Sequence, residues 1–236
     1  MTARRRSAGF LIGLTLIAAL LVAGFGALGA WQVKRLAWKR DLIARVEARI
    51  HADPVAAPRS AGKADEYRRL RVTGRFLNDE ATLVQAATVR GAGYWVMTPL
   101  VTEDGFTVIV NRGFVPPEAK AAYERPQGPV TLTGLLRVSE PGGGFLRAND
   151  PAADRWYSRD VAAMAAKRGL KRPVAGYFID AEASPSPDMP PVGGLTVVAF
   201  PNHHLSYALT WFALAIMSAG AYIFVMRVEW KARAAA

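Results

Sequence analysis

Two long apolar runs lie near the ends of the chain, and a segment of mixed apolar and polar positions separates them. Residues 7–33 contain no charged side chain, and residues 205–226 contain none either. A helix needs roughly 20 predominantly apolar residues to cross the hydrocarbon core of a bilayer. The pattern therefore predicts one membrane helix over residues 10–31 and a second over residues 204–226.

The first apolar run also has features of a secretory signal, because arginines precede it and small residues follow at Ala27, Gly29 and Ala30. The apolar region of a signal peptide usually has about 7–15 residues. This run is longer, which favours a retained membrane helix. Gly26 and Ala30 have a spacing that lets helices approach closely. Glycine is also simply common in membrane helices, so both interpretations of this pair stay open.

Periodic patterns predict the elements between the two spans. Apolar residues at helical spacing predict a juxtamembrane helix over residues 32–53, which Pro54 ends. A linker rich in Pro, Ala and Gly follows over residues 55–63. Strands are predicted at 69–76, 81–89, 94–101, 106–115, 130–138, 174–180 and 195–200, turns or loops at 91–93, 103–105, 142–144 and 185–191, a short helix from residue 116, and a longer one over 160–168.

These elements predict a membrane protein of the α+β class. Two transmembrane helices flank a β-rich domain over residues 64–200, built as a mostly antiparallel sheet or open barrel with short helices. Arg227, Lys231 and Arg233 follow the second span, which predicts a cytoplasmic C-terminus over residues 227–236. Two spans then place residues 1–9 on the cytoplasmic side and the β-rich domain in the periplasm or its mitochondrial equivalent.

Composition changes this picture little. The formal net charge of +11 invites a nucleic-acid interpretation, but the predicted location of the domain excludes such a partner. Attraction to anionic lipid or to an acidic protein surface explains the charge better. The chain has no cysteine, so it contains no disulfide and no cysteine-ligated metal.

Signatures of enzymes are also missing from the sequence. There is no nucleophile elbow, no H-E-x-x-H zinc motif and no phosphate-binding loop. The adjacent carboxylates Asp65-Glu66 and Glu103-Asp104 are typical of solvated turns. The sequence therefore predicts a protein that is not an enzyme.

Candidate chemistry is concentrated where the second span begins. Asn202 is a predicted N-cap, which would place His203 and His204 in the first turn of the helix. His204, Tyr207 and Trp211 then share one face of that helix. An imidazole beside aromatic rings can serve as an axial ligand to haem iron. His, Tyr and Trp are equally normal residues of the membrane interface, so spacing alone leaves both interpretations open.

Two cations leave the first span at the same predicted depth. Arg35 and Lys39 follow Trp31 within about two helical turns. Their positive charges could pair with the propionates of a haem. Tryptophan at this position is also typical of a helix anchored among lipid head groups.

Several blocks of the sequence resemble the surfeit locus protein 1 family of membrane assembly factors. The resemblance runs from end to end in the order of the chain. The blocks are LGAWQVKR at residues 28–35 with Trp38-Lys39, residues 67–74, GYWVMTPL at 93–100, VNRGFVP at 110–116 and NHHLSYALTW at 202–211.

The resemblance implies a role in assembling haem-a-containing cytochrome c oxidase, and the short N-terminus is similar to that of bacterial members in the inner membrane. It implies binding of haem a, insertion of haem a into oxidase subunit I, and haem a synthase as a further partner. His204 matches the family's fixed histidine, and Tyr207, Trp211 and Arg35 would line the haem site. His203 stands where many relatives have Asn; it either supplies a second axial ligand or has no role. The alternative function is a membrane scaffold that stabilises subunit I without binding haem.

Overall fold

The computed structural model describes residues 6–144, 146–183, 189–198 and 200–234. The chain forms two compact units. One consists of residues 46–198, and the other consists of residues 1–45 together with 199–236. The predicted turn at 185–191 begins in a gap, so its residues 185–188 lie outside the described residues, as do residues 1–5 and 235–236 of the predicted cytoplasmic ends.

The terminal unit is built from long helices. The α-helices of the chain are α1 (Ala8–Ile50), α2 (Val161–Lys167) and α3 (His204–Ala234). Both α1 and α3 are long and apolar enough to cross a membrane, and almost all of their apolar stretch is exposed on the outside of the protein. Large exposed apolar surfaces are typical of helices that face lipid. The predicted first span and juxtamembrane helix form one continuous helix, because no proline interrupts α1 before Pro54.

Helices α1 and α3 pack against each other in antiparallel order. Residues with higher numbers in α1 contact residues with lower numbers in α3. The paired side chains are Thr15 with Tyr222, Phe25 with Trp211, and Gln32 with His204. Phe212 of α3 lies against Gly29 of α1, where an added Cβ would lie 2.6 Å from the ring of Phe212. A Cβ at Gly26 would meet nothing within 4 Å. The small residue at the contact with α3 is therefore Gly29 and not Gly26, whose two interpretations reduce to a contact with another helix or to no role.

The other unit contains a small β-barrel. Its strands are β1 (Val55–Ala56), β2 (Arg69–Phe76), β3 (Thr82–Thr88), β4 (Gly91–Thr102), β5 (Thr107–Val115), β6 (Pro129–Val138), β7 (Gly143–Gly144), β8 (Arg147–Ala148) and β9 (Val174–Ala181). The order in the main sheet is β1-β2-β6-β9-β5-β4-β3, and β2 also pairs with β4. This extra pairing closes β2, β6, β9, β5 and β4 into a ring.

Most neighbouring strands of the ring are antiparallel, as predicted, and only β5 and β9 run parallel. The closure between β2 and β4 uses just three residue pairs, from Gly74–Thr102 to Phe76–Leu100. Here a Cβ at Gly74 would lie 2.2 Å from the carbonyl oxygen of Val101. A side chain at residue 74 would therefore collide with the backbone that closes the barrel.

Alternation along the strands explains the barrel interior. In β2, Leu70 and Val72 are buried while Arg71 and Arg75 are exposed. The interior combines such residues from all five strands: Leu70, Val72, Leu100, Val108, Val110, Leu136, Tyr177 and Ile179. A second cluster packs α2 against the outside of the sheet through Trp156, Val161, Met164 and Phe178.

Strand predictions at 69–76, 81–89, 94–101, 106–115, 130–138 and 174–180 are confirmed to within a few residues. The predicted strand at 195–200 is wrong, since its described residues form no strand. Just before this segment, Val192 pairs with Phe114 of β5, and the backbone N of Gly194 donates a hydrogen bond to the carbonyl oxygen of Ala181 in β9. The bridge at Phe114 lies beyond the last β5–β9 pair, Asn111–Asp180, and among the described residues nothing after Gly194 extends it into a strand.

Three connecting segments also differ from expectation. The turn predicted at 91–93 lies earlier, at Val89-Arg90, because Gly91 already pairs with Thr88 at the start of β4. The segment predicted as a linker is partly ordered, because Val55–Ala56 forms β1 beside β2. Triglycine 142–144, predicted as a loop, contributes β7 to a tight hairpin with β8.

Candidate functional site

The second apolar helix begins at His204, which is one residue later than the predicted cap requires. The carbonyl oxygen of His203 accepts a hydrogen bond from the backbone N of Tyr207 at 3.2 Å, so His203 occupies the N-cap position. Asn202 lies too early to cap the helix, and its Oδ1 is buried without a hydrogen-bond partner. The prediction of Asn202 as N-cap is therefore wrong, and His203 is an exposed residue immediately before the first residue of α3.

His204 is held by a residue from the other helix. Nδ1 of His204 lies 2.7 Å from Oε1 of Gln32, and Gln32 is only 9% exposed. An amide oxygen can only accept a hydrogen bond, so Nδ1 of the imidazole carries the proton. Among the described residues, none forms a hydrogen bond with Nε2 of His204. This nitrogen therefore keeps a lone pair, which is the form in which imidazole binds a metal.

The predicted aromatic wall lies on the same side of α3 as His204. Trp211 is seven residues further along, which is about two helical turns. Its ring stacks on Phe25 of α1, with centroids 5.7 Å apart and planes inclined by 25°. Tyr207 lies between them in sequence and is 56% exposed. His204 and Trp211 are thus both fixed by α1, whereas the Tyr207 ring is open to its surroundings.

The predicted cations sit near aromatic rings of their own. The guanidinium carbon of Arg35 lies 4.0 Å from the ring centre of Trp38, on the same helix. Nζ of Lys39 lies 5.1 Å from the ring centre of Phe200. Among the described residues, no hydrogen bond or ion pair joins Arg35 to His204, Tyr207 or Trp211. Arg35 therefore remains available to an anionic group.

No group of three or more His, Cys, Asp or Glu residues that could hold a metal ion occurs in the described part of the chain. A haem needs no such cluster, because the macrocycle supplies four of the ligands and the protein supplies the axial ones. A single imidazole with a free Nε2 beside aromatic rings fits this requirement.

A second set of polar groups lies in the barrel, around Asp180. This carboxylate is 3% exposed, and it accepts hydrogen bonds from Asn111, Arg137, Arg159 and Thr196. Burial would lower the pKa of Arg159, but its hydrogen bonds to Glu140 and the charge of Asp180 outweigh burial and raise that pKa. A cavity of about 260 Å³ adjoins the cluster. Because its charges are paired, the cluster is typical of a structural ion-pair network.

This network explains the block VNRGFVP, for which the sequence suggested no chemistry. Nδ2 of Asn111 donates to Asp180 at 2.8 Å, and its Oδ1 accepts from the backbone N of Gly113 at 3.2 Å. Gly113 has φ +130°, and an added Cβ would lie 2.3 Å from the carbonyl group of Val192. Arg112 is directed elsewhere: its Nη2 donates to the carbonyl oxygen of Glu124, and burial lowers its pKa.

The fold defines a class of protein in which the sequence of a small β-barrel domain lies between two long apolar helices. Residues 19–216 match the model of the SURF1 family. The chain is 36% identical over 225 residues to a SURF1-like protein of Monosiga brevicollis, covering 87% of this chain and 84% of the relative. It is also 36% identical to Surfeit locus protein 1 of Rattus norvegicus, over 79% of this chain and 67% of the relative, and to that of Homo sapiens, over 82% and 71%. The chain belongs to the SURF1 family.

The residue that sequence reasoning missed is Gln32. It lies in the block LGAWQVKR and is the only amide in the uncharged run 7–33. A polar side chain in such a run needs a hydrogen-bond partner, and this need is the feature of the sequence that indicates a specific contact for Gln32. The partner is 172 residues away in the chain, so no local pattern could name it.

Proposed function

We propose that this protein is a non-enzymatic assembly factor for haem-a-containing cytochrome c oxidase, which binds haem a and assists its insertion into subunit I. Membership of the SURF1 family supports the assembly role. The observation that carries haem binding is the hydrogen bond between Nδ1 of His204 and Oε1 of Gln32, which leaves Nε2 unbonded among the described residues. Haem a synthase is the expected donor partner.

The proposed location is the bacterial inner membrane, with both termini in the cytoplasm and the barrel in the periplasm. Arg227, Lys231 and Arg233 at the end of α3 support this orientation. The antiparallel helix pair brings Arg6 and Arg233 to the same residue: Oε1 of Glu229 accepts hydrogen bonds from the backbone N of Arg6 and from Nε of Arg233, each at 3.3 Å.

In this role haem a is the cargo, and its iron supplies the coordination site. His204 would bind the iron through Nε2. Trp211 and Tyr207 would flank the macrocycle, and Arg35 with Lys39 would attract its propionates. His203, at the N-cap position, is the remaining candidate for a second axial ligand.

A site with one half-buried imidazole is suited to transfer. His204 is half-buried, while Tyr207 beside it is largely exposed, so the cargo would be only partly enclosed. Tight binding of a cofactor requires extensive burial of its surface. A weak site would release haem a to a deeper, better enclosed site in subunit I.

The test is the visible spectrum of the full-length protein co-produced with the enzymes of haem a synthesis and purified from membranes. Wild-type protein is expected to show a Soret band, and His204→Ala to lose most of it. His51→Ala is the matched control, because His51 is an exposed histidine just after α1 whose polar contacts among the described residues are with Glu47.

Two results would overturn parts of this proposal. An unchanged Soret band in His204→Ala would remove His204 from haem binding. A wild-type protein without any Soret band, whose deletion still abolishes active oxidase, would favour the scaffold that stabilises subunit I without haem.

A further inference from the structure

We infer that Gln32 is a positioning residue, which selects Nε2 of His204 as the nitrogen that faces the ligand and sets how strongly that nitrogen donates. This inference rests on the proposed function, because it concerns the same imidazole. It goes further by assigning a role in the site to the first apolar helix.

The surroundings of Gln32 show that its hydrogen bond is a specific interaction. Gln32 lies next to the end of the uncharged run 7–33 and is 9% exposed, whereas its neighbour Val33 is 47% exposed. Burying an amide without a partner costs about 1–3 kcal/mol by mutational estimates. In the described part of the chain, the hydrogen bond of Gln32 is the one to His204, so the oxygen of this buried amide is satisfied by the candidate ligand.

The consequence for the imidazole is chemical. A neutral histidine carries its proton on either ring nitrogen, and the nitrogen without the proton binds a metal. Gln32 Oε1 holds the proton on Nδ1 and thereby keeps the Nε2 lone pair available. Histidines that bind metals in proteins almost always donate their other N–H in this way, and loss of that acceptor typically lowers metal affinity 10–100-fold.

An amide at position 32 also limits how strongly Nε2 of His204 binds iron. A carboxylate in place of Gln32 would accept the proton more strongly and make Nε2 a stronger donor to iron. It would also place a charge at a position that is only 9% exposed, which is costly. A neutral acceptor orients the ring and leaves the ligand only moderately basic, which suits an exchangeable cargo.

The hydrogen bond depends on the packing of the two helices. Gln32 belongs to α1 and His204 to α3, and the stacked pair Phe25–Trp211 lies two turns away along both helices. Gly29 allows the close approach between them, since any Cβ there would collide with Phe212. Correct pairing of the helices is therefore needed before the imidazole is oriented.

The first experiment uses ligand-free, full-length protein in lipid nanodiscs with ¹⁵N-labelled histidine. Nitrogen NMR is expected to show His204 protonated on Nδ1 and unprotonated on Nε2. In Gln32→Leu the ring should revert to the Nε2-protonated tautomer that is usual for free histidine. An Nε2-protonated His204 in the wild type would overturn the inference, whether or not the protein binds haem.

The second experiment uses protein loaded with haem a. Gln32→Leu is expected to bind haem a about 10–100-fold more weakly and to raise the midpoint potential of the bound fraction. Gln32→Glu should lower that potential, because a stronger acceptor makes the imidazole more basic. Val33→Ala is the control on the same turn of α1 and should change neither quantity.

These readouts separate the inference from the proposed function. A variant that merely loosened the helices would lose haem without shifting the potential of what remains. If wild-type protein binds haem through His204, yet Gln32→Leu keeps both affinity and potential, the inference fails and the function stands. If the tautomer is as expected but no haem binds, the function fails.

Discussion

Asn111 donates a hydrogen bond from Nδ2 to Oδ1 of Asp180 at 2.8 Å, across the only parallel strand pair of the barrel ring. Both residues are buried, and Asp180 also receives hydrogen bonds from two arginines. The amide thus satisfies part of a buried charge while it fixes the backbone of Gly113. Through this contact, the block VNRGFVP contributes to the stability of the barrel.

Replacing this amide should weaken the barrel. Asn111→Leu removes one partner of a buried carboxylate and leaves the backbone N–H of Gly113 unpaired, which is expected to cost about 2–4 kcal/mol. Urea unfolding of the full-length protein in detergent, followed by near-UV circular dichroism, measures this loss. Gln127→Leu, at an exposed position, is the control and should stay within about 0.5 kcal/mol of wild type. Equal stability of the two variants would contradict the assignment.

The seam between β2 and β4 gives a second prediction. Gly74→Ala would place a Cβ 2.2 Å from the carbonyl oxygen of Val101, so the three residue pairs that close the ring must shift. We expect a loss of about 2 kcal/mol or more in the same unfolding assay. Gly176→Ala is matched to it, because Gly176 also lies in a strand but its Cβ would meet nothing within 4 Å. A Gly74→Ala variant as stable as Gly176→Ala would show that the ring is open.

A third prediction concerns the two terminal helices. Gly29→Ile should push Phe212 away and separate Gln32 from His204, whereas Gly26→Ile adds the same side chain into open space. The Soret absorbance per protein after co-production with haem a synthesis should fall in the first variant and stay at the wild-type level in the second. Equal loss in both would mean that the helices pair differently from this structure.

The fourth prediction is a dependence of stability on pH at Asp154. Burial acts to raise the pKa of Asp154, but hydrogen bonds from Trp156 Nε1 at 2.7 Å and from Arg168 outweigh it and lower that pKa below 3.8. A carboxyl with a lowered pKa stabilises the fold fully above its unfolded pKa, and the contribution is lost as pH falls through the folded value. The urea midpoint should therefore drop as pH falls below about 4.

Asp154→Asn is the variant that isolates this effect. It removes the titrating group, so the urea midpoint should depend less on pH below 4 than in the wild type, and should be lower at neutral pH. Asp79→Asn, an exposed carboxyl, provides the comparison. An identical acid dependence in wild type and Asp154→Asn would show that this carboxyl does not couple to folding.

The strands could be predicted because their side chains alternate between the barrel interior and solvent. Leu70 and Val72 against Arg71 and Arg75 illustrate this period of two. The pattern fails at residues 195–198, which are largely apolar but form no strand. Closure of the ring was also hidden, because pairing of β2 with β4 depends on the space that Gly74 leaves at Val101.

The candidate site was predictable only in part. Its residues on α3 follow from their position at the start of an apolar run, and the pattern placed His204, Tyr207 and Trp211 on one face. The contribution of α1 depends on the register of two helices, which Gly29 and Phe212 set by shape. Helical periodicity contains no information on that register. The sequence therefore shows Gln32 within the block LGAWQVKR but does not predict its contact with His204.

The most direct test of the central claim is ligand rescue in His204→Gly. This variant is produced with haem a synthesis in the presence or absence of added imidazole, and its visible spectrum is recorded after purification. We predict that the Soret band is lost without imidazole and restored with it, because free imidazole can replace the missing ring. A band that persists without imidazole would contradict coordination of the iron by His204.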